Sequence, residues 1–192
     1  DQGRGCPVDW NETEQKFNWE LVFCELYAGG KYNNLDGDNY EYSLGLNGLG
    51  ACATQYASEY FDAVVWRDGF KYTLHFEKGE NIGGLKKEPT DRGRKTGSTF
   101  RWKPDLEVFT DINVPVEYYL DTIKRQAVVN AGVTFEFRYE TPEGKQEKDF
   151  FYEKGIEDYV EELADGDSLT PVRFCQSSAE GRDREDKPDY KV

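Results

Sequence analysis

The sequence predicts an α+β fold, a two-layer sandwich with helices on one face of a mixed, mostly antiparallel sheet. Three observations carry this expectation. Two β-rich runs, residues 60–67 and 70–77, are joined by Asp68-Gly69 alone, and a two-residue Asp-Gly link is a strong hairpin signal. A second pair of alternating runs, 133–139 and 145–152, surrounds Pro142-Glu143-Gly144. Between the pairs, Val116, Tyr119, Leu120, Ile123 and Ala127 recur at three- and four-residue spacing, the period of a helix with one apolar face. Hairpins and amphipathic helices in this mixture bury their apolar faces by layering on one another.

Taken in order, the chain opens on a glycine-rich turn and then predicts a helix over 19–27, ended by Gly29-Gly30. Residues 31–42 are rich in Asn, Asp and Tyr and read as a long loop. Gly45, Gly48 and Gly50 lead into a helix of small residues, 51–58. The first hairpin follows, then a connection containing Gly and Lys, then a strand over 97–102. Pro115 suits the first turn of the helix that runs to about residue 129. After the second hairpin, a short helix over 156–163 is expected. From Asp165 onward the chain turns polar, with 177–187 reading as a flexible loop.

Composition narrows the class. In 192 residues, 15% are aromatic, far too many for a disordered chain. No apolar run approaches the roughly 20 residues that span a bilayer, and the opening Asp1-Gln2-Gly3-Arg4-Gly5 is no secretory signal. With no Met anywhere, a chain starting on a glycine motif reads as a fragment. Four scattered cysteines, Cys6, Cys24, Cys52 and Cys175, with one His suggest reduced, mostly buried thiols in a cytoplasmic protein rather than a zinc site. The formal net charge of -14 argues against this segment gripping a nucleic-acid backbone by itself. One basic stretch, 86–95, reads as a solvated loop. His75 reads as structural, Glu136, Glu140 and Glu143 as a solvated face, and Trp66 and Trp102 as core or half-buried strand positions.

Two glycine-rich segments carry the candidate chemistry. In Asp1-Gln2-Gly3-Arg4-Gly5-Cys6-Pro7, a carboxylate beside glycines can accept a hydrogen bond from an exocyclic amine, and glycines let a flat base approach the backbone. In Ser43-Leu44-Gly45-Leu46-Asn47-Gly48-Leu49-Gly50, glycines precede a helix, whose exposed N–H groups and dipole suit phosphate oxygens. The latter is neither a Walker A loop nor a dinucleotide fingerprint. Each alone is equally compatible with a plain turn or helix entry.

Together, in this order, they resemble the GHKL (Bergerat-fold) ATPases, and within them the B subunits of bacterial type IIA DNA topoisomerases. The resemblance rests on Asp1-Gln2-Gly3-Arg4-Gly5-Cys6-Pro7-Val8-Asp9, on Leu26-Tyr27-Ala28-Gly29-Gly30-Lys31-Tyr32 and on Lys95-Thr96-Gly97-Ser98. It extends through Asp105-Leu106-Glu107-Val108-Phe109-Thr110 and Gly155-Ile156-Glu157-Asp158-Tyr159-Val160, covering residues 1–163.

The resemblance implies that Asp1 binds the adenine amino group and that Gly3 and Gly5 shape its pocket. Arg4, Pro7 and Arg67 would line the outer edge that aminocoumarin inhibitors use, and Tyr40 would approach the adenine. Gly45, Leu46, Asn47, Gly48, Leu49 and Gly50 would wrap the phosphates, with Lys31 nearby. Ser98 stands where the family usually has Thr, and its hydroxyl would support Asp1. Leu44 and Asn47 depart from the usual lid. The family's catalytic Glu and its magnesium-ligating Asn precede the first motif, so no catalytic or metal ligand is expected here, and the segment alone is expected not to hydrolyse ATP. Residues 1–164 are expected to form the ATP-binding domain, and 165–192 a linker and the start of the transducer domain, with 171–174 its first strand. Implied cofactors are ATP and Mg2+. Implied partners are the topoisomerase A subunit, a second copy of the B subunit, DNA through the intact complex and aminocoumarins. The alternatives are a MutL- or Hsp90-like ATPase, or a non-catalytic nucleotide-binding module.

Overall fold

The computed structural model of the chain describes residues 1–28, 48–90, 96–175, 177, 180–181 and 190–191. Two compact units divide it, Asp1–Asn113 and Val114–Val192.

The first unit is built on an antiparallel sheet. Strands β1 (Trp10–Asn11) and β2 (Lys16–Phe17) form a small ribbon that leads into helix α1 (Asn18–Cys24). Helix α2 (Gly50–Tyr56) precedes β3 (Ser58–Arg67) and β4 (Phe70–Glu77), with Arg67 and Phe70 closing the hairpin. The two linking residues, Asp68 and Gly69, have φ of 53° and 77°. Positive φ at both positions is the geometry whose twist matches the strands, which is why Asp-Gly serves here. Two short strands, β5 (Glu80–Asn81) and β6 (Lys86–Pro89), pair with the outer edge of β4. On the other side β7 (Gly97–Pro104) pairs with β3, giving the order β5-β4-β3-β7 with β6 also on β4.

Alternation decides the faces. Phe61, Ala63 and Val65 of β3 and Tyr72, Leu74 and Phe76 of β4 all turn inward and are buried. Phe61, Ala63, Leu74 and Phe76 pack with Val22 and Phe23 of α1 into the main core, and Val65 and Tyr72 pack with Val8. Burying a large side chain such as Phe76 contributes about 2–3 kcal/mol, so this row of contacts holds the helical layer on the sheet.

The second unit has helix α3 (Val116–Val129), the hairpin β8 (Phe135–Thr141) and β9 (Gly144–Phe150), and helix α4 (Ile156–Ala164). Ala127, Val128, Phe150 and Tyr152 form its core, with Leu120, Ile123, Phe135 and Tyr159 against it. Glu162 of α4 accepts a hydrogen bond from the Tyr152 hydroxyl at 2.6 Å and pairs with Lys124 of α3 at 2.5 Å. Gly155 opens α4 with φ of 62°, and a Cβ there would lie 2.8 Å from the Val128 carbonyl oxygen. One further short pair, β10 (Glu180–Gly181) with β11 (Tyr190–Lys191), lies in the polar tail.

Several sequence expectations need correction. Helix α1 ends at Cys24 rather than at residue 27, because Glu25 is extended and Leu26 and Tyr27 are exposed, leaving no apolar face for another turn. Part of the basic stretch expected as a loop is the edge strand β6, which has no inward face and therefore no alternation to read. Trp102 is 49% exposed on the edge strand β7, whereas Trp66 is half-buried as expected. Cys52 is buried, Cys6 and Cys24 are half-buried and Cys175 is exposed. Residues 171–174 form no strand, since among the described residues none pairs with them. The long loop at 31–42 and most of 177–187 lie outside the described residues.

Candidate functional site

A cleft of about 770 Å³ opens in the first unit between the glycine-rich opening, α1, the start of α2 and the inner face of β7. Its polar end is assembled from Asp1 and Ser98. The Asp1 carboxylate oxygen Oδ1 accepts from the Gly3 N–H at 2.9 Å and from the Ser98 N–H at 3.2 Å. The Ser98 hydroxyl accepts from the Cys6 N–H at 2.8 Å, so it braces the glycine turn, while its backbone holds the carboxylate. Both donors aim at one carboxylate oxygen; among the described residues none donates to the other, Oδ2.

Glycine is required where these segments meet. Gly5 has φ of 85°, and a Cβ there would stand 2.8 Å from the Trp66 carbonyl oxygen. Gly97 has φ of 151°, and its Cβ would reach within 2.2 Å of the Asp1 carbonyl oxygen. No L side chain fits such a contact without moving backbone. The turn is fastened to the hairpin by Arg67, which donates to the Cys6 carbonyl at 3.4 Å and pairs with Asp9 at 3.5 Å and Asp68 at 3.1 Å. Burial pushes the Cys6 thiol up to about 12, against the opposing pull of Arg67. It therefore stays protonated and adds a neutral patch to the wall.

The remainder of the cleft is apolar and largely aromatic, lined by Val22, Phe23, Phe61, Phe100 and Trp102, with Ala51 and Thr54 of α2 facing them. A neutral, flat, apolar floor ending at an acceptor carboxylate suits a planar heterocycle that carries an amine.

Of the residues named from the sequence, Asp1, Gly3, Gly5, Ser98, Arg4, Pro7, Arg67 and Gly50 all line this cleft. Gly48 and Leu49 stand just before α2, outside the lining, with Gly48 at φ of 65°. Lys31, Tyr40, Gly45, Leu46 and Asn47 lie outside the described residues. Sequence reading assigns Gly97 no role beyond its place in the Lys95-Thr96-Gly97-Ser98 motif, and does not single out the aromatic floor. The signal for the floor is the alternation Ser98, Phe100, Trp102, which places three side chains on one face of a strand.

His75 is also more than a strand filler. It pairs across the hairpin with Asp62 at 2.6 Å and reaches Glu77 at 3.2 Å. Hydrogen bonds to Asp62 first, then to Glu77, raise its pKa above 6.5. It lies on the sheet face opposite the buried row, away from the cleft. Among the described residues no helix is long and apolar enough to cross a membrane.

Two solved structures share this fold of a helical layer on an antiparallel sheet. The 43K ATPase domain of Thermus thermophilus gyrase B, solved with an aminocoumarin, superposes with a TM-score of 0.68 at 24% identity, covering 96% of this chain and 44% of that one. The ATP-binding domain of Francisella tularensis topoisomerase IV, solved with a small-molecule inhibitor, gives 0.67 at 24% identity, over 93% and 46%. No protein-family model matches the chain. By sequence it is 35% identical to the B subunit of Synechocystis DNA gyrase, over 83% of its own length and 15% of the relative's. It is 34% identical to the B subunit of Salmonella typhimurium DNA topoisomerase 4, over 90% and 27%. The chain belongs to the family of bacterial type IIA DNA topoisomerase B subunits. It spans between about a seventh and a quarter of the length of these two relatives.

Proposed function

We propose that this segment is the nucleotide-binding part of an ATP-driven type IIA topoisomerase, from the B subunit of gyrase or topoisomerase IV, in which ATP binding and hydrolysis drive DNA strand passage. The observation that supports this reading is the Asp1 carboxylate, held on Oδ1 by two backbone N–H groups with Oδ2 turned to no described donor. A carboxylate anchored on one oxygen presents the other to an incoming amine without reorganising, and an anionic acceptor strengthens that hydrogen bond. The adenine base would lie on the apolar floor, its amino group on Asp1, with Gly3 and Gly5 letting it approach the backbone. Arg4, Pro7 and Arg67 would contact ligand groups at the mouth, including those of aminocoumarins. Lys31, Tyr40 and the glycines from Gly45 to Gly50, with Leu46, Asn47 and Leu49, would close over the phosphates.

Among the described residues lining the cleft Asp1 is the only carboxylate, and in this reading its free oxygen accepts from the base. In this reading water activation falls to a residue outside this lining, as the resemblance implies, and the segment alone binds nucleotide without turning it over. The resemblance also implies Mg2+. Among the described residues no three His, Cys, Asp or Glu side chains cluster; an ion carried in with the nucleotide would be held chiefly by phosphate oxygens and water. In the intact protein the partners would be the A subunit, a second copy of the B subunit and DNA, in the cytoplasm. The ATP-binding domain would run from 1 to 164, with 165–192 leading into the transducer domain.

Calorimetric titration with a non-hydrolysable ATP analogue and with an aminocoumarin, for the wild type and Asp1→Asn, tests the reading. Binding of both ligands that the substitution abolishes is expected. Equal binding by Asp1→Asn, or steady ATP turnover by the purified segment, would overturn it.

A further inference from the structure

Buried polar groups need partners, and in this chain the exceptions gather in one layer. Among the described residues, the buried side-chain polar atoms without a hydrogen-bond partner are Nε1 of Trp19 and both Nε2 and Oε1 of Gln55. Trp19 is on α1 and Gln55 on α2, the two helices that flank the cleft. A buried polar group left unpaired costs its full desolvation, so the helical layer stores strain there.

Gln55 is the sharper case. Its residue is 0% exposed, and both ends of its amide are shut off from solvent. With Cys52, three residues earlier and also 0% exposed, it forms the inward face of α2. Ala51 stands about one helical turn before Gln55, and Ala51 and Thr54 both line the cleft. A ligand pressing on Ala51 or Thr54 therefore moves Gln55 with them.

The two ends of α2 are held unequally. At its C-terminal end the Asp105 N–H donates to the Ala57 carbonyl at 3.0 Å, and the Tyr56 hydroxyl donates to the Cys24 carbonyl at 3.4 Å. The Ser58 hydroxyl closes that end on the Thr54 carbonyl at 2.6 Å. At the other end Leu49 supplies no side-chain cap, and among the described residues a Cβ on Gly50 would meet nothing within 4 Å. A helix fastened at one end and loosely packed at the other has room for a second seat.

We propose that Gln55 is a positioning residue whose buried amide couples the seat of α2 to occupancy of the cleft. In the seat that the structure shows, the unpaired amide raises the energy of the unoccupied state. In the second seat, taken when a nucleotide lies against α2, the amide gains a hydrogen bond, and that gain adds to the ligand's affinity. A ligand shifts such an equilibrium only by what differs between the two seats, and here the difference is the pairing of one amide. The inference rests on the reading of the cleft as a nucleotide site.

Gln55→Met keeps the length of the side chain and removes both polar atoms; Gln55→Leu takes its place if the methionine variant does not fold. Thermal unfolding without ligand and calorimetric titration with a non-hydrolysable ATP analogue are measured for this variant, the wild type and Asp1→Asn. The Gln55 variant is expected to unfold about 3–8 °C above the wild type and to bind the analogue about threefold to tenfold more weakly. A glutamine with a merely structural role does not move these two readouts in opposite directions. An unchanged or lowered midpoint overturns the proposal, because the amide is then paired, by a buried water or otherwise. A raised midpoint with unchanged affinity overturns it as well, since the strain is then uncoupled from the cleft. Asp1→Asn is expected to weaken binding without raising the midpoint. If Asp1→Asn binds like the wild type while the Gln55 variant behaves as expected, the Asp1 reading fails and the coupling stands. Failure of the wild type to bind the analogue overturns both.

Discussion

Gly97→Ala is the substitution whose consequence the geometry states most sharply. The backbone at Gly97 has φ of 151°, in the half of φ/ψ space that L side chains avoid, and the new methyl would sit 2.2 Å from the Asp1 carbonyl oxygen and 3.0 Å from its carbonyl carbon. Holding Ala at such a φ costs about 1–3 kcal/mol. Relieving the collision moves either β7 or the Asp1 turn, a further strain of about 1–3 kcal/mol. Because β7 is pinned to β3 along eight register pairs, the Asp1 turn is the part that yields, and Asp1 leaves the Ser98 N–H. A destabilisation of about 2–6 kcal/mol is expected in urea unfolding. Losing the oriented carboxylate removes a charge-assisted hydrogen bond of about 1.5–3 kcal/mol, so affinity for an ATP analogue should fall roughly tenfold to a hundredfold. Gly50→Ala is the control, since a Cβ there meets nothing within 4 Å; its stability should stay within about 0.5 kcal/mol. If Gly97→Ala unfolds at the wild-type midpoint and binds nucleotide with unchanged affinity, the account of how Asp1 is seated is wrong.

Ser98→Ala leaves the Cys6 N–H without its acceptor while keeping the Ser98 backbone donor to Asp1. It should destabilise by about 1–3 kcal/mol, checked by denaturant titration. Phe76→Ala empties a fully buried position at the centre of the main core and should cost about 3–5 kcal/mol, read as a lowered urea midpoint. The folded state raises the His75 pKa above 6.5. The stability from that pair is therefore fully present below about pH 6.5 and lost as pH rises through the raised value; His75→Gln should remove this slope from a stability–pH profile. Glu162 has the opposite sign. Lys124 first, then Tyr152, holds its carboxyl below 4.5, so its contribution is present above that pH and lost on acidification, a slope that Glu162→Gln should abolish.

Much of the fold was legible because local chemistry and global pattern agree. Asp68-Gly69 needs positive φ twice, and only that turn closes two alternating strands in the observed register. The apolar spacing along α3 picks out Leu120, Ile123 and Ala127, which pack in the core of the second unit, although Tyr119 on the same spacing is exposed. Edge elements were illegible for the converse reason. Lys86–Pro89 presents no buried face, and its strand is held by pairing with β4 and by Lys87 lying 4.0 Å over the Phe70 ring. The same holds at the cleft. Asp1, Gly3 and Gly5 stand out as a motif, whereas the reason for glycine at 97 shows only once Asp1 is folded against it.

Residue type at short spacing was enough to set the class of fold and to single out the acidic glycine motif as a candidate site, and the resemblance supplied the family. The folded chain was needed to show that Ser98, 97 residues from Asp1, supplies the donor that seats its carboxylate. It was needed again to show that Arg67 clasps the turn through Cys6 and Asp9, and that Phe100 and Trp102 face the cleft rather than the core. Such partners are set by which strand pairs with which and in what register, and a shift of one residue along β7 would turn all three of its inward side chains to the other face.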